Sequence, residues 1–317
     1  MKNAIFGALL ILVVGLPSLV YPVFLMQALC FALFACAFNL LIGYTGLVSF
    51  GHAAFFALSG YVCAYVAKTY GFGPFASIAA GTAVGAMLGV VMGAIAIRRT
   101  GIYFSMITLA LAQLVYFYLL QAPWTGAEDG LQGIPRGRLL GLDLENNLVM
   151  YYFVLAICAA TFAAIYRVVH SPFGQVLSAI RDNEPRATSL GYDVNKFKLL
   201  GFVLSATVAG LAGALKVLSL QLASLADAHW HMSGEVILMT ILGGMGTMAG
   251  PVVGAVFVTS LHHYLAGVGS WIVTIMGAIF ICVVMLFRDG MVGYVEQRMR
   301  RWRSNAKAVE KLTKKEI

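Results

Sequence analysis

The feature that leaves this chain the fewest options is a succession of apolar runs, most of them about twenty residues long. Short polar, glycine or proline breaks separate them into candidate spans at 4–20, 23–43, 48–67, 73–97, 102–121, 148–169, 197–221, 234–247, 250–266 and 269–287. About 20 apolar residues carry a helix across hydrocarbon. A backbone in lipid must satisfy its own hydrogen bonds, so such runs read as helices. Composition agrees: of 317 residues, 61% are hydrophobic and 11% charged, against roughly 45–50% and about 25% in soluble domains. A water-soluble enzyme and a disordered or fibrous chain are both excluded. The sequence predicts an all-α, polytopic transmembrane helix bundle of about 8–10 spans. One membrane domain covers 1–287, and a basic tail covers 288–317. The eighth run is short and interrupted by Gly243, Gly244, Gly246, Gly250 and Pro251, so 234–266 reads either as two spans or as a re-entrant element.

The basic residues orient the bundle. Lys2, Arg98, Arg99, Arg167, Arg181, Arg186, Lys196, Lys198 and the nine beyond residue 287 fall on one side, seventeen of the 21 in all. Lys68, Arg136, Arg138 and Lys216 fall on the other. The positive-inside rule makes the first side cytoplasmic, giving N-in and C-in and an even number of crossings. The net charge of +8 then needs no nucleic acid; a basic tail against anionic membrane lipid explains it. Lys2 followed by the apolar run from Ala4 looks like a signal peptide, but without a clear cleavage site it reads as a retained first span.

Little in the chain can drive transport or catalyse a reaction by itself. There is no GxxxxGK[ST] and no HExxH. The five cysteines (Cys30, Cys36, Cys63, Cys158, Cys282) sit inside apolar runs without CxxC spacing and read as small hydrophobes. Adjacent His262 and His263 point about 100° apart on a helix and cannot chelate together. His229 and His231 flank Trp230 as an interfacial aromatic cluster. No metal and no cofactor are expected. Lys216 is expected to snorkel from the outer end of its span, and Glu235 to favour a helix start. With no other carboxylate at mid-depth, an ion-coupled carrier lacks its usual coupling site. The energy source is expected to lie outside this chain.

Gly81, Gly85, Gly89 and Gly93 recur every four residues, which lets two helix backbones approach closely. Gly250 and Gly254 repeat the pattern.

Three segments carry the functional signal. The first runs from Asn39 to His52, where Gly43, Gly46 and Gly51 are interspersed with Thr45, Ser49 and His52. It reads either as a tight turn or as a broken-helix element of a translocation path or gate. Gly243 and Gly246 followed by Gly250 echo Gly43 and Gly46 followed by Gly51. The second is the outer loop 122–147, with Trp124, Glu128, Asp129, Arg136, Arg138, Asp143 and Glu145. It reads as a solvated connection or as a docking surface for a soluble partner. The third is the inner loop 170–196. Ser171 and Pro172 start a helix there, Pro185 ends it or begins another, Gly191 closes the second, and Asp193 or Asn195 caps the next span. Arg181 with Glu184 and Asp182 with Arg186 have the spacing of helical ion pairs. A short helix presented below a bundle suits docking into another protein's groove.

At these residues the chain resembles a known family, the inner-membrane permease subunits of bacterial ABC importers for branched-chain amino acids, of the LivM type. The resemblance rests on Gly43-Tyr-Thr-Gly-Leu-Val-Ser-Phe-Gly-His52, on Thr125-Gly-Ala-Glu-Asp-Gly-Leu-Gln-Gly-Ile-Pro135, on Ser171-Pro-Phe173-Gly174 with Ala179-Ile-Arg181-Asp182-Asn-Glu184 and Leu190-Gly191, and on Gly243-Gly-Met-Gly246-Thr-Met-Ala-Gly-Pro251. It covers most of the chain. It implies a second homologous permease subunit, two cytoplasmic ATPase subunits and a periplasmic amino-acid-binding protein. It implies a coupling helix in the inner loop, with Ala179, Glu184, Ala187 and Gly191 at the matching positions and Phe173, Gly174, Arg181, Asp182 and Arg186 beside them. The Glu-Ala-Ala run of the general ABC permease loop is not intact here. The expected function is a multi-pass, non-enzymatic subunit of the bacterial inner membrane that moves branched-chain amino acids inward. The alternatives are another small solute, such as a sugar or urea, and an ion-coupled carrier.

Overall fold

The computed structural model describes residues 20–139, 142–265, 271–286 and 290–293, with Pro17 and Gly267. The span expected over 4–20 lies outside the described residues except for Pro17 and Val20, and so does the 288–317 tail except for 290–293. The long helices are α1 (Pro22–Thr45), α2 (His52–Thr69), α3 (Pro74–Ala96), α4 (Ile102–Gln121), α5 (Asn147–Val169) and α8 (Val194–Leu220). Between the last two lie α6 (Pro172–Asp182) and α7 (Glu184–Ser189). Three shorter helices follow, α9 (Trp230–Gly243), α10 (Gly250–Leu265) and α11 (Ile272–Leu286). All of these except α2, α6, α7 and the last three are long and apolar enough to cross a membrane. The protein is a multi-pass helical bundle. At 14 residues, α9 reaches about 21 Å, short of the roughly 30 Å of hydrocarbon.

Helix ends follow local chemistry. Pro22 and Pro74 occupy first turns, where a missing N–H costs nothing. Gly46 ends α1 in the left-handed region at φ 73°. The Asn146 side chain accepts from Leu148 N at 3.0 Å to start α5, and Asp193 accepts from Lys196 N at 3.2 Å to start α8.

The bundle is built on α1 and α8. In α1, 78% of the spanning window is buried, against 28% for α4 and for α5; the first is core and the other two show most of their surface outward. Helix α8 packs on α1, α2 and α3, while α1 also holds α5, α9 and α10. The glycine stripe of α3 makes this possible. A Cβ on Gly85 would lie 3.2 Å from the Gly210 Cα, one on Gly89 2.6 Å from the Ala206 Cβ, and one on Gly93 2.8 Å from Leu199. Without a hydrophobic force between helices in lipid, this close approach supplies dispersion instead.

The two ends differ. One carries the 122–147 segment, the other α6 and α7. The 122–147 segment is docked rather than free. It holds two 3-10 turns and two short ladders, β1 (Leu131–Gln132) with β4 (Leu222–Ala223), and β2 (Arg138–Leu139) with β3 (Leu142–Asp143). Buried Arg136 donates to Leu218 O (3.2 Å), Ser219 O (2.5 Å), Leu144 O (3.4 Å), Glu145 O (3.3 Å) and Asn147 Oδ1 (2.8 Å). It thereby satisfies carbonyls at the end of α8. Burial lowers its pKa from the usual arginine value, and the Glu145 charge opposes that shift.

Three readings change. Lys216 does not snorkel: it is buried and ion-paired with Asp227 in the 3-10 turn Leu225–Ala228. Its ammonium lies 5.5 and 5.6 Å from the Phe31 and Phe56 ring centroids, a cation–π arrangement. Glu235 is not at a helix start, because α9 begins at Trp230; it pairs with His262 Nε2 of α10 at 2.7 Å. Cys282 is exposed, whereas the other four cysteines are buried as expected.

Candidate functional site

At the α6–α7 end, the break after α1 enters the bundle instead of turning on its surface. Residues 46–51 form no regular structure, yet Ser49 and His52 are completely buried. Each free polar group of this joint has to be met by protein. Ser105 Oγ donates to Val48 O at 2.7 Å. Phe50 N donates to Thr108 Oγ1 at 3.2 Å, Gly51 N to Ser49 Oγ at 3.1 Å, and Ala53 N to Ser233 Oγ at 3.0 Å. Ser205 Oγ donates to Ala37 O at 2.5 Å and meets His52 Nε2 at 2.8 Å. With the serine proton spent on Ala37, Nε2 carries the imidazole hydrogen and Nδ1 a lone pair. Among the described residues, that Nδ1 has no partner. Hydroxyls from α4, α8 and α9 thus hold an unwound segment inside the bundle.

The second glycine joint, 244–249, lies against the first. Asn39 ties the last turns of α1, which lead into the first joint, to the second: its Nδ2 donates to Thr247 O at 2.9 Å, and its Oδ1 accepts from Gly246 N at 2.9 Å. Tyr44 OH donates to Gly246 O at 3.3 Å. A Cβ on Gly43 would sit 2.9 Å from Gly246 N, so the contact requires glycine. The sequence echo between Gly43–Gly46 and Gly243–Gly246 is therefore a physical neighbourhood. Gly243 faces the other way, against Gly250 and Gly254, where it closes the α9–α10 packing.

Helix α6 reaches this place directly. Arg181 Nη1 donates to Gly43 O, and its stem lies where a side chain on Gly46 would be, 2.9 Å from Cγ. Its other nitrogens hold Asp182 at 3.0 and 3.2 Å. Thr45 touches Gly201 of α8, where a Cβ would lie 3.1 Å from its methyl group and 3.5 Å from Leu177 of α6. Arg181, Gly43, Gly46, Asn39 and Gly246 thus form one node at the root of α6.

The residues expected in the coupling segment separate into two groups. Ala179, Arg181, Asp182, Arg186 and Gly191 are exposed. Gly174 and Ala187 are buried; Gly174 lies so close to the Val168 and Val169 carbonyls that a Cβ would overlap them. Phe173 stacks on Phe197 at 5.8 Å. The expected helical ion pairs do not form, because Asn183 breaks the helix between α6 and α7 and caps the latter by accepting from Arg186 N at 3.0 Å. Glu184 instead holds the buried Lys198 at 2.7 Å. Sequence reasoning missed Ser105, Thr108, Ser205 and Ser233; lone hydroxyls in apolar helices look alike until the structure shows which of them face the joint.

A multi-pass bundle with two apposed unwound joints and a short helix pair beneath them is the architecture of a membrane permease. Comparison with known proteins agrees. The chain belongs to the family described as the branched-chain amino acid transport system / permease component, whose model matches residues 22–287. Members of this family are permease subunits, and such subunits are not enzymes. The high-affinity branched-chain amino acid transport system permease protein LivM of Salmonella typhimurium is 23% identical over 286 residues, covering 83% of this chain and 67% of the relative. The probable LivH permease of Methanocaldococcus jannaschii is 21% identical over 262 residues, 76% and 80% of the two chains. The ribose import permease RbsC of Escherichia coli is 26% identical over 224 residues, 66% and 67% of the two. No solved structure matches.

Proposed function

We propose that this chain is the permease subunit of an ABC importer that moves branched-chain amino acids across a bacterial inner membrane into the cytoplasm. The observation that carries the reading is the Arg181–Gly43 hydrogen bond, which joins an exposed helix pair to the last turn of α1, where the first glycine joint begins. In this account the α6–α7 end is cytoplasmic, the 122–147 end periplasmic, and both termini are inside. ATPase subunits bind the exposed side of α6 and α7, and their closure displaces α6. Arg181 passes the displacement to Gly43 and Gly246, and access switches from one side to the other. A periplasmic binding protein delivers substrate to the 122–147 end, and a second homologous permease completes the path. Asn39, Gly43, Thr45, Gly46, Ser49, His52, Gly243 and Gly246 are its gate elements.

Support for the substrate comes from the LivM relatives, whose names specify branched-chain amino acids. The ribose relative makes a sugar the alternative. Uptake of labelled leucine, isoleucine, valine and ribose by cells with and without the gene separates them. Loss of amino-acid uptake alone is the expected result; loss of ribose uptake alone rejects the substrate assignment.

A further inference from the structure

A cleft of about 670 Å³ lies at the end of α5, lined by Ala163, Ala164, Tyr166, Arg167, His170 and Ser171. We propose that it holds the headgroup of an anionic phospholipid, one that carries hydroxyls as phosphatidylglycerol does. Its lining combines two alanines with an aromatic ring, a guanidinium, an imidazole and a hydroxyl. Arg167 is exposed and makes no ion pair or hydrogen bond among the described residues. The acidic groups of α6, α7 and the start of α8 are taken: Asp182 by Arg181, Glu184 by Lys198 and Asp193 by Lys196. An unpaired guanidinium at the edge of a membrane bundle matches a phosphodiester in charge and geometry.

The imidazole beside it supplies the second contact. His170 Nδ1 donates to Tyr166 O at 2.8 Å, and the two rings lie tilted by 30° with centroids 4.1 Å apart. With Nδ1 committed to that carbonyl, Nε2 is the ring nitrogen left for a ligand. A headgroup hydroxyl hydrogen-bonds to Nε2 while its phosphate sits on Arg167. The cleft ends at Ser171, which precedes α6, and the first turn of α6 rests on the Val168 and Val169 carbonyls. A lipid held here braces the hinge between α5 and α6. The inference needs only a membrane-spanning bundle and is independent of substrate and motor.

The test is native mass spectrometry of the full chain, released from nanodiscs of mixed phosphatidylglycerol and phosphatidylcholine. The wild type should retain phosphatidylglycerol selectively, and Arg167→Gln should lower that retention about fivefold, the worth of one basic residue at a headgroup. Arg167→Lys should restore most of it, and Arg98→Gln should leave it unchanged. His170→Phe should weaken phosphatidylglycerol more than phosphatidic acid, which offers no headgroup hydroxyl. Equal retention in Arg167→Gln and wild type, or equal retention of the zwitterionic lipid, overturns the proposal. So does displacement of the lipid by millimolar inorganic phosphate, which would mark a general anion site instead.

Discussion

Lys216 of α8 and Asp227 of the 3-10 turn before α9 form an ion pair buried inside the bundle, beneath the 122–147 segment, with two phenylalanine rings flanking the ammonium. Removing one partner of such a pair strands a charge and costs about 3–5 kcal/mol, whereas an apolar pair of similar volume is often neutral or stabilising. Asp227→Asn and Lys216→Met should each lower the thermal unfolding midpoint in detergent, and Lys216→Met with Asp227→Leu should recover most of the loss. A double variant no more stable than the singles contradicts this account of the pair.

The α3–α8 seam should tolerate no bulk. Gly85 meets Gly210 and Ser59, so Gly85→Ala already overpacks the contact and should cost about 1–3 kcal/mol, read as a lower unfolding midpoint. Gly234 has no atom within 4 Å of an added Cβ, and Gly234→Ala is the matched control. Equal effects at both positions would dismiss the close-approach explanation.

What the sequence reveals follows from what each signal depends on. The lipid-spanning runs and the Gly81–Gly93 stripe are local and periodic, so they could be read directly. The start of α6 at Pro172 and the Asp193 cap are local as well. Lys216 was misread because its partner, Asp227, comes from a separate turn after the helix end, and only the fold brings the two together. The Arg181–Glu184 pair failed for a related reason: Asn183 interrupts the helix on which that spacing depends. Asn39 and Gly246 were each singled out, but their hydrogen bond spans 207 residues, a distance over which helical periodicity says nothing.

That bond gives a third prediction. Asn39→Leu removes the bridge and leaves the half-buried Gly246 N and Thr247 O without their partner, about 1 kcal/mol for each, the low end for a stranded group. Amide exchange at Gly246 should accelerate. Unchanged protection there would show that the end of α1 and the 244–249 joint hold together without Asn39.

Asp193 supplies a pH dependence. The side-chain hydrogen bond to Lys196, then the backbone one, keep its carboxyl below the usual carboxylate range. A lowered folded-state pKa means that the cap contributes at neutral pH and fades only as pH falls through that lowered value. Protection of the Lys196 amide, corrected for intrinsic exchange, should stay level from neutral pH down to the ordinary aspartate range and drop below it. Loss of protection near neutral pH would contradict the assignment.

The most direct test of the central claim compares ATP hydrolysis with substrate uptake in proteoliposomes holding this chain, its partner permease and the ATPase subunits. If Arg181 carries motion from α6 to Gly43, Arg181→Gln should leave ATPase binding and ATP hydrolysis intact while uptake falls about tenfold, the scale of one charged hydrogen bond, and Arg181→Lys should lie between. Undiminished uptake by Arg181→Gln would contradict the account, as would uphill accumulation by this chain in vesicles without the ATPases.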